Sequence, residues 1–404
     1  NISEEGTYLR KSKDHFSKLG IQLKKARAHS LDIKNKSLKL EGSDSIHFDK
    51  LLIATGSVPV RPPIPGIDLP GVHPCWTLDD ARAIQKLAKP GARVLQMGAG
   101  FIGCIILEAL ASKNVKLTVV EMGDRMVPRM MTEVAGNLIK TWVEEKGIAV
   151  HTNTKVESIT QSQSGLLVKL SNGETIEVDL VISATGVKPN IEFLKNSNLQ
   201  IQRGILVNEQ MQTSHPDIYA AGDVTESVDF CTGERIINAI QPNAADQASI
   251  AACNMAGGHA TAVGSLQVNV LDTLGLISSS FGQWSGIQGG QHVERCNPDQ
   301  YQYIRLEFDQ DRLIGATSLG MTDHVGAIRG LIQTRVALGD WKEKLLHDPL
   351  RIMDAYLAKA QAQANWVAYE LRLSNTIGAA GRECRVIVVP NIKPPTAPNQ
   401  DYKT

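Results

Sequence analysis

Paired cysteines, an excess of either charge and long apolar runs are all missing from this chain, and each absence excludes something. Its 404 residues contain six cysteines, Cys75, Cys104, Cys231, Cys253, Cys296 and Cys384, separated by 22 to 127 residues. No CxxC pair exists for zinc, iron–sulfur or thioredoxin-like chemistry, and the spacing does not suit a small stapled fold. The cysteines read as reduced core thiols of a cytoplasmic protein. Forty-two Lys and Arg cancel forty-two Asp and Glu, which leaves no overall field to draw nucleic acid or anionic lipid. No stretch approaches about eighteen uninterrupted apolar residues, so no membrane span is expected. His292, His324 and His347 share no metal-like spacing, and no metal site is expected. The sequence opens at Asn1 without a charged-then-apolar leader, so any targeting signal is expected upstream.

What is present is an ordinary globular composition, 42% hydrophobic and 21% charged, long enough at roughly 150 residues per domain for two or three domains. The chain also repeats itself. Asp49–Val60 (DKLLIATGSVPV) and Val178–Asn190 (VDLVISATGVKPN) each run from an acidic residue through an apolar strand to Ala-Thr-Gly and a proline. Short-strand segments precede both, Arg27–Phe48 and Val156–Val178, and predict three-stranded meanders; Asn172-Gly173 marks a hairpin turn in the second. Upstream of the second meander, RVLQMGAGFIG, a helix over 101–113 and a strand over 117–121 predict a strand–helix–strand nucleotide-binding unit. Gly98 lies 86 residues before Ala184, and the same offset from Ala54 falls before Asn1, so the first module is expected to be truncated. Pro242–Met255 predicts a helix ended by Gly257-Gly258, and a boundary is expected near Gly264. Strands are expected over 267–319 and helices over 323–336 and 349–369. The proline-rich tail from Pro390 is expected to be disordered.

The glycines of GAGFIG, Gly98, Gly100 and Gly103, stand where a strand turns into a helix, so backbone can approach a pyrophosphate on the helix N-terminus. Glu121 follows 18 residues after Gly103; a carboxylate there accepts from an adenosine ribose 2′-hydroxyl and repels a 2′-phosphate, favouring NAD over NADP. Arg125 reads as a solvated cation beside Asp124, though near enough to admit NADP. TSHPDIYAAGD ends an apolar strand at Gly222 and Asp223, a position suited either to a sugar hydroxyl or to an acidic turn. Gln241-Pro242-Asn243 opens a helix with proline in its first turn, aiming free N–H groups outward. DWKEK reads as a solvated helix face.

In this combination and order, over residues 1–330, the chain resembles the FAD- and NAD-dependent pyridine nucleotide-disulfide oxidoreductase superfamily. It is most similar to NADH-dependent flavoprotein reductases: the nitrite reductase large subunit's flavin module, rubredoxin and ferredoxin reductases, and NADH oxidases. The resemblance implies an α/β fold with two Rossmann-like, three-layer ββα nucleotide-binding domains, the first truncated, and a C-terminal α+β domain. It divides the chain into 1–72 and 191–264 (FAD-binding), 73–190 (NAD-binding), 265–372 (interface domain) and 373–404 (tail). It implies FAD and NAD as cofactors, with NADH preferred over NADPH. Gly98, Gly100, Phe101, Ile102, Gly103, Glu121, Ala184, Thr185 and Gly186 would serve NAD. Ala54, Thr55, Gly56, Gly222, Asp223, Pro242, Asn243 and Ala244 would serve FAD, and Phe101 corresponds to the aromatic that covers the flavin until nicotinamide displaces it.

Three features depart from the pattern. The glycine loop for the FAD adenosine half and the stretch that would carry redox cysteines do not precede the first meander. Ile105 stands where relatives commonly carry glutamate. His347 and Asp348 are all that stand in place of a carboxyl-terminal His–Glu pair, so disulfide reduction is not expected. The reading is an NADH:acceptor oxidoreductase, with hydride passing from NADH to flavin N5 and electrons going on to a redox protein, a partner subunit or a small molecule. No side-chain general acid is required for that half-reaction, so no catalytic residue is named. The alternatives are a non-catalytic NAD-binding or assembly subunit of an electron-transfer complex, and an NADH oxidase or peroxidase. A homodimer is the expected assembly, through the third domain.

Overall fold

A computed structural model describes residues 4–359, apart from 11, 13 and 43. After a short helix α1 (His15–Lys18), the chain forms an antiparallel meander of β1 (Ala28–Asp32), β2 (Ser37–Leu40) and β3 (Ile46–His47). Next come β4 (Leu51–Ile53), β5 (Ser57–Pro59), β6 (Val72–Pro74) and α2 (Leu78–Leu87). Helix α2 starts at a reciprocal cap: Thr77 accepts from the Asp80 amide, and the Asp80 carboxylate accepts from the Thr77 amide.

The second module is β7 (Arg93–Met97), α3 (Phe101–Ala111), β8 (Lys116–Val120), α4 (Glu133–Glu145) and β9 (Ala149–His151). A meander follows, β10 (Val156–Gln161), β11 (Leu166–Leu170) and β12 (Thr175–Val178), and then β13 (Leu180–Ser183). The central sheet is parallel throughout, in the order β6-β13-β7-β8-β9. Alternation along β7 explains its two coats. Val94 faces the cluster built with Cys104, Leu107 and Leu110 of α3 and Ile139 and Val143 of α4. Leu95 and Met97 face the cluster that holds Ile159, Leu166, Val168 and Leu170 of the meander. The result is the expected ββα sandwich. The hairpin lies where expected: Gly173, with φ +90°, turns the chain and donates to the carbonyl of Leu170 at 3.1 Å.

Returning chain then completes the first module. It runs through β14 (Val187–Pro189), β15 (Ile205–Leu206), β16 (Ile218–Ala220), β17 (Thr225–Val228), β18 (Arg235–Ile236) and α5 (Gln241–Met255). Strand β16 pairs in parallel with β4, and Leu31, Ile53, Ile218, Ala220 and Ala251 share one core between the first meander and α5. Gly257, with φ +86°, follows α5, in keeping with the sequence expectation.

Strands β19 (Val268–Thr273), β20 (Leu276–Gly282), β21 (Gln291–Asn297), β22 (Gln302–Asp309) and β23 (Arg312–Leu319) make an antiparallel sheet ordered β19-β20-β23-β22-β21. One face packs on α6 (Val325–Thr334), α7 (Asp340–His347) and residues 352–359, which are helical. The other contributes Leu271, Leu276, Tyr303 and Leu319 to the same core as α3 and α4. The helix expected over 323–336 is shorter, and α7 is a separate helix set off by Gly339 (φ +53°); the expectation placed only a solvated DWKEK face there. The helix expected to 369 is described to 359; its remainder, the tail and Cys384 lie outside the described residues. Of the five described cysteines, all free, Cys104 alone is buried and Cys296 is exposed, so the expectation of core thiols throughout is corrected. Burial pushes the Cys104 thiol up to about 12 and the Cys231 thiol up to about 11, so neither is a thiolate at neutral pH. No described helix is long and apolar enough to cross a membrane, and no cluster of described side chains could hold a metal ion.

Candidate cofactor-binding site

The first group of predicted residues gathers at the carboxyl end of β7. Gly98, with φ +97°, donates to the Val120 carbonyl at 2.8 Å, and a Cβ there would lie 2.5 Å from the Ala184 carbonyl oxygen. Only glycine lets the loop and the Ala184–Thr185–Gly186 turn pass so closely. Gly103 serves a second approach, since a Cβ would fall 2.3 Å from the Gly98 oxygen. A Cβ at Gly100 would meet nothing within 4 Å. Gly100 also caps α3 without a side-chain hydrogen bond, so the first N–H groups of α3 open onto free space at a positive dipole end. Phe101 and Ile102 begin α3 half-buried against the core, and Ile105 on the same helix is exposed.

Glu121 stands just past β8, but its carboxylate is already engaged. One oxygen accepts from the Ala99 amide and the other from the Gly123 amide, both at 2.7 Å. Each oxygen keeps a further acceptor site, so Glu121 holds the loop and can still take a hydroxyl. Arg125 is not a solvated cation. Its guanidinium donates to Asp124 and to the carbonyls of Met131 and Pro128; its side chain is 20% exposed and packs where a Cβ on Gly136 would stand. With its donors turned onto backbone, it ties the segment after β8 together.

The second group gathers at the carboxyl ends of β4 and β16. Asp223 accepts from the Ser57 hydroxyl at 2.7 Å. Gly222 donates to the buried Gln247 carbonyl of α5 at 2.8 Å, and a Cβ on Gly222 would sit 3.3 Å from that of Ala244. The turn bearing Asp223 is therefore seated on the first turns of α5, where Pro242 stands at the helix start and Ile240 provides no side-chain cap. Asn243 is fully employed inside the protein. Its amide donates to the Asn238 carbonyl and its oxygen accepts from Ser265, which anchors the end of α5.

An antiparallel ribbon, β5 with β14, joins the two groups. At one end Asn190 donates to the Gly56 carbonyl and the Thr55 hydroxyl donates to the Asn190 carbonyl, both at 2.9 Å. At the other, Val60 donates to the Gly186 carbonyl at 2.9 Å, and the Thr185 hydroxyl donates to the Val60 carbonyl. Both Ala-Thr-Gly turns are thus clamped by the same pair of strands. Cβ atoms on Gly56 (φ +64°) and Gly186 (φ +106°) would meet nothing within 4 Å.

A family model described as pyridine nucleotide-disulphide oxidoreductase matches residues 3–248. The chain belongs to that family. It is 30% identical over 331 residues to the NADH-dependent phenylglyoxylate dehydrogenase subunit epsilon of Aromatoleum evansii, covering 81% of this chain and 78% of that protein. Among solved structures it resembles an NAD-dependent persulfide reductase from A. fulgidus, with TM-score 0.76, 30% identity and coverage of 81% of this chain and 66% of that one. It also resembles the ferredoxin reductase for the CYP199A2 system of Rhodopseudomonas palustris, with TM-score 0.76, 25% identity and 83% of each chain. The family is one of pyridine nucleotide-linked oxidoreductases, and this chain is a flavoprotein oxidoreductase with FAD and NAD(H) as its cofactors. The residues present fit the dinucleotide, with an open glycine cradle at an uncapped helix end for its pyrophosphate, and fit the flavin half of FAD, with a carboxylate beside a second uncapped helix end; no glycine loop for the FAD adenosine half stands among the described residues.

Sequence reasoning missed Ser57, Trp76, Gln96, Asn190 and Gln247. Trp76 donates from its indole to the Ser57 carbonyl at 3.0 Å and is 40% exposed beside the Asp223 partner. The two glutamines had a legible signal, a polar residue inside an otherwise apolar strand and inside an alanine-rich helix. Their targets, the glycine turns, did not.

Proposed function

We propose that this protein is an NADH:acceptor oxidoreductase in which residues 73–190 bind NADH, and residues 1–72 with 191–264 form the flavin side of the cleft. Residues 265–372 would form the third domain. The observation that carries the reading is the β5–β14 ribbon, which clamps the turn abutting the glycine loop to the turn beside Asp223. FAD, when bound, supplies the ring that takes up hydride from NADH and passes the electrons on.

The chain's own residues do the rest. The α3 N–H groups behind Gly98, Gly100 and Gly103 receive the dinucleotide pyrophosphate, and Glu121 receives the adenosine ribose hydroxyl. Ala184, Thr185 and Gly186 floor the nicotinamide end. Phe101, with Ile102 beside it at the start of α3, would cover the flavin until nicotinamide binds. Ala54, Thr55, Gly56, Gly222 and Asp223 hold the flavin ribityl chain and its phosphates, with Ser57 fixing the Asp223 carboxylate. The α5 end at Pro242, Asn243 and Ala244 would lie toward the flavin, where its dipole would favour added negative charge. With that chemistry supplied by the bound groups, the protein would contribute positioning and electrostatics, and no side-chain acid is assigned.

The acceptor we favour is a partner protein. The Aromatoleum evansii relative is by name one subunit of an NADH-dependent dehydrogenase, and that supports a partner subunit over a small molecule. Stopped-flow absorbance of the FAD-loaded protein mixed with NADH tests the reading. Rapid bleaching of the visible flavin band is expected, and a band unchanged by NADH would overturn it.

A further inference from the structure

We propose that Gln96 is a positioning residue for the dinucleotide loop, fixing the Gly98 carbonyl so that the loop is already shaped to receive a pyrophosphate. This rests on reading residues 98–103 as the NADH loop. After Arg93 at its start, β7 is otherwise apolar, and alternation sets Val94 and Gln96 toward α3. Gln96 is completely buried, and its amide nitrogen donates to the Gly98 carbonyl oxygen at 3.0 Å. A Cβ on Gly103 would fall 2.3 Å from that same oxygen and 2.8 Å from the Gln96 amide nitrogen. The amide is therefore wedged beneath the loop, at the point where loop backbone meets helix backbone.

Two other fastenings hold the next residue. Ala99 donates to Glu121 and accepts from the Val127 amide at 2.9 Å. With Gln96 included, the strand-to-helix turn is tied to β7, to the carboxylate after β8 and to the segment before α4. Free rotation of the Gly98–Ala99 peptide is removed before any ligand arrives, and ordering that need not be done on binding appears as affinity.

The other end of the side chain argues against a purely architectural role. The Gln96 carbonyl oxygen is buried and has no hydrogen-bond partner, which is a standing cost to folding. An unbranched apolar side chain of the same length would fill the space without that cost. A glutamine here loses stability on one side of its amide and gains loop geometry on the other.

The test uses the full-length, FAD-loaded protein carrying Gln96→Met, with Gln96→Leu as a second apolar replacement. Each is titrated with NAD+, which cannot reduce the oxidised flavin, and with ADP-ribose by calorimetry, alongside thermal denaturation and flavin content. The dissociation constants of both ligands are expected to rise roughly fivefold to tenfold, the loss of one neutral hydrogen bond, while melting temperature stays level or rises and flavin is retained. ADP-ribose is included because the loop meets the pyrophosphate, so both ligands should lose the same factor. Affinities within twofold of the unaltered protein overturn the proposal, and a lowered melting temperature with unchanged affinity assigns Gln96 to packing alone. If the unaltered protein takes up neither ligand, the NADH-loop reading itself fails and this inference falls with it.

Discussion

Glu121 shows how one side chain comes to carry two tasks. Its carboxylate fastens Ala99 and Gly123, two amides that nothing in the local sequence connects, and in the proposed function it also receives the adenosine ribose. Glu121→Ala therefore removes a charged acceptor from the ligand and two fastenings from the loop. Selectivity for NADH over NADPH is expected to fall by about 1–2 kcal/mol, roughly tenfold. Affinity for both dinucleotides should drop as well, because the loop loosens for either. Paired titrations with NADH and NADPH separate the effects: an unchanged ratio would remove Glu121 from ribose recognition while leaving its hold on the loop. Arg125 carries the complementary lesson. The sequence reads it as a solvated cation beside Asp124, near enough to admit a 2′-phosphate; in the fold it keeps Asp124 but turns its other donors onto carbonyls of its own loop.

Among the elements, the β15–β17 pair is secured by an ion pair whose pH dependence can be stated. Glu226 of β17 is 1% exposed and accepts from the Arg203 guanidinium at 2.8 Å, as well as from the Arg203 and Gly204 amides. Burial alone would raise its carboxyl, but Arg203 and the two amides outweigh burial and hold it below the usual range. A depressed folded-state value means the stabilisation is fully present above the unfolded carboxyl near pH 4.3 and is lost as pH falls through the folded value. Arg203 is largely exposed, so water screens part of the attraction. Glu226→Gln is expected to cost about 1–2 kcal/mol at pH 7, and the gap from the unaltered protein should narrow toward pH 3. Urea denaturation at both pH values checks this; a gap that stays constant would place the stabilisation in packing. Local patterns announced both meanders, the β7–α3–β8 unit and α5, because each rests on alternation, helical spacing or a glycine within a few residues. The β5–β14 ribbon pairs residues about 130 apart and leaves no such trace. Helix α7 was hidden because a short, charged, amphipathic turn resembles a solvated surface until Leu345 is seen to be buried. The glutamines that hold the two glycine turns are legible as polar residues in apolar surroundings, but what they hold is not, since a hydrogen bond to backbone depends on the fold and not on neighbouring residues.

At the scale of the molecule, the C-terminal sheet and the β6–β13 module share a single core. Leu271, Leu276, Tyr303 and Leu319 pack with Cys104, Leu107, Leu110 and Ile139, so neither face would be covered if the two parted. Trp142 of α4 is the polar fastening of this junction. Its indole donates to the carbonyls of Thr273 and Leu274 at 3.1 and 3.2 Å, at the turn between β19 and β20. Its ring meets Tyr301 edge-on with centroids 5.0 Å apart, and Lys146 lies over its face. By contrast, what joins the second module to the first includes the three-residue ribbon of β5 and β14. The C-terminal sheet and the β6–β13 module are therefore expected to unfold and to move as one body, with the ribbon as the place where the first module adjusts against them. Trp142→Ala removes a large aromatic and orphans two carbonyls, so it should cost about 3–5 kcal/mol. It should also uncouple the two sheets, so that amide exchange in β19 and β20 speeds up relative to β7 and β8. Hydrogen-exchange mass spectrometry decides the matter. Equal acceleration in all four strands means the junction is no seam and the core is indivisible; acceleration confined to β19 and β20 locates the seam at Trp142; and no acceleration anywhere shows that the shared apolar core, without the indole, already binds the two sheets together.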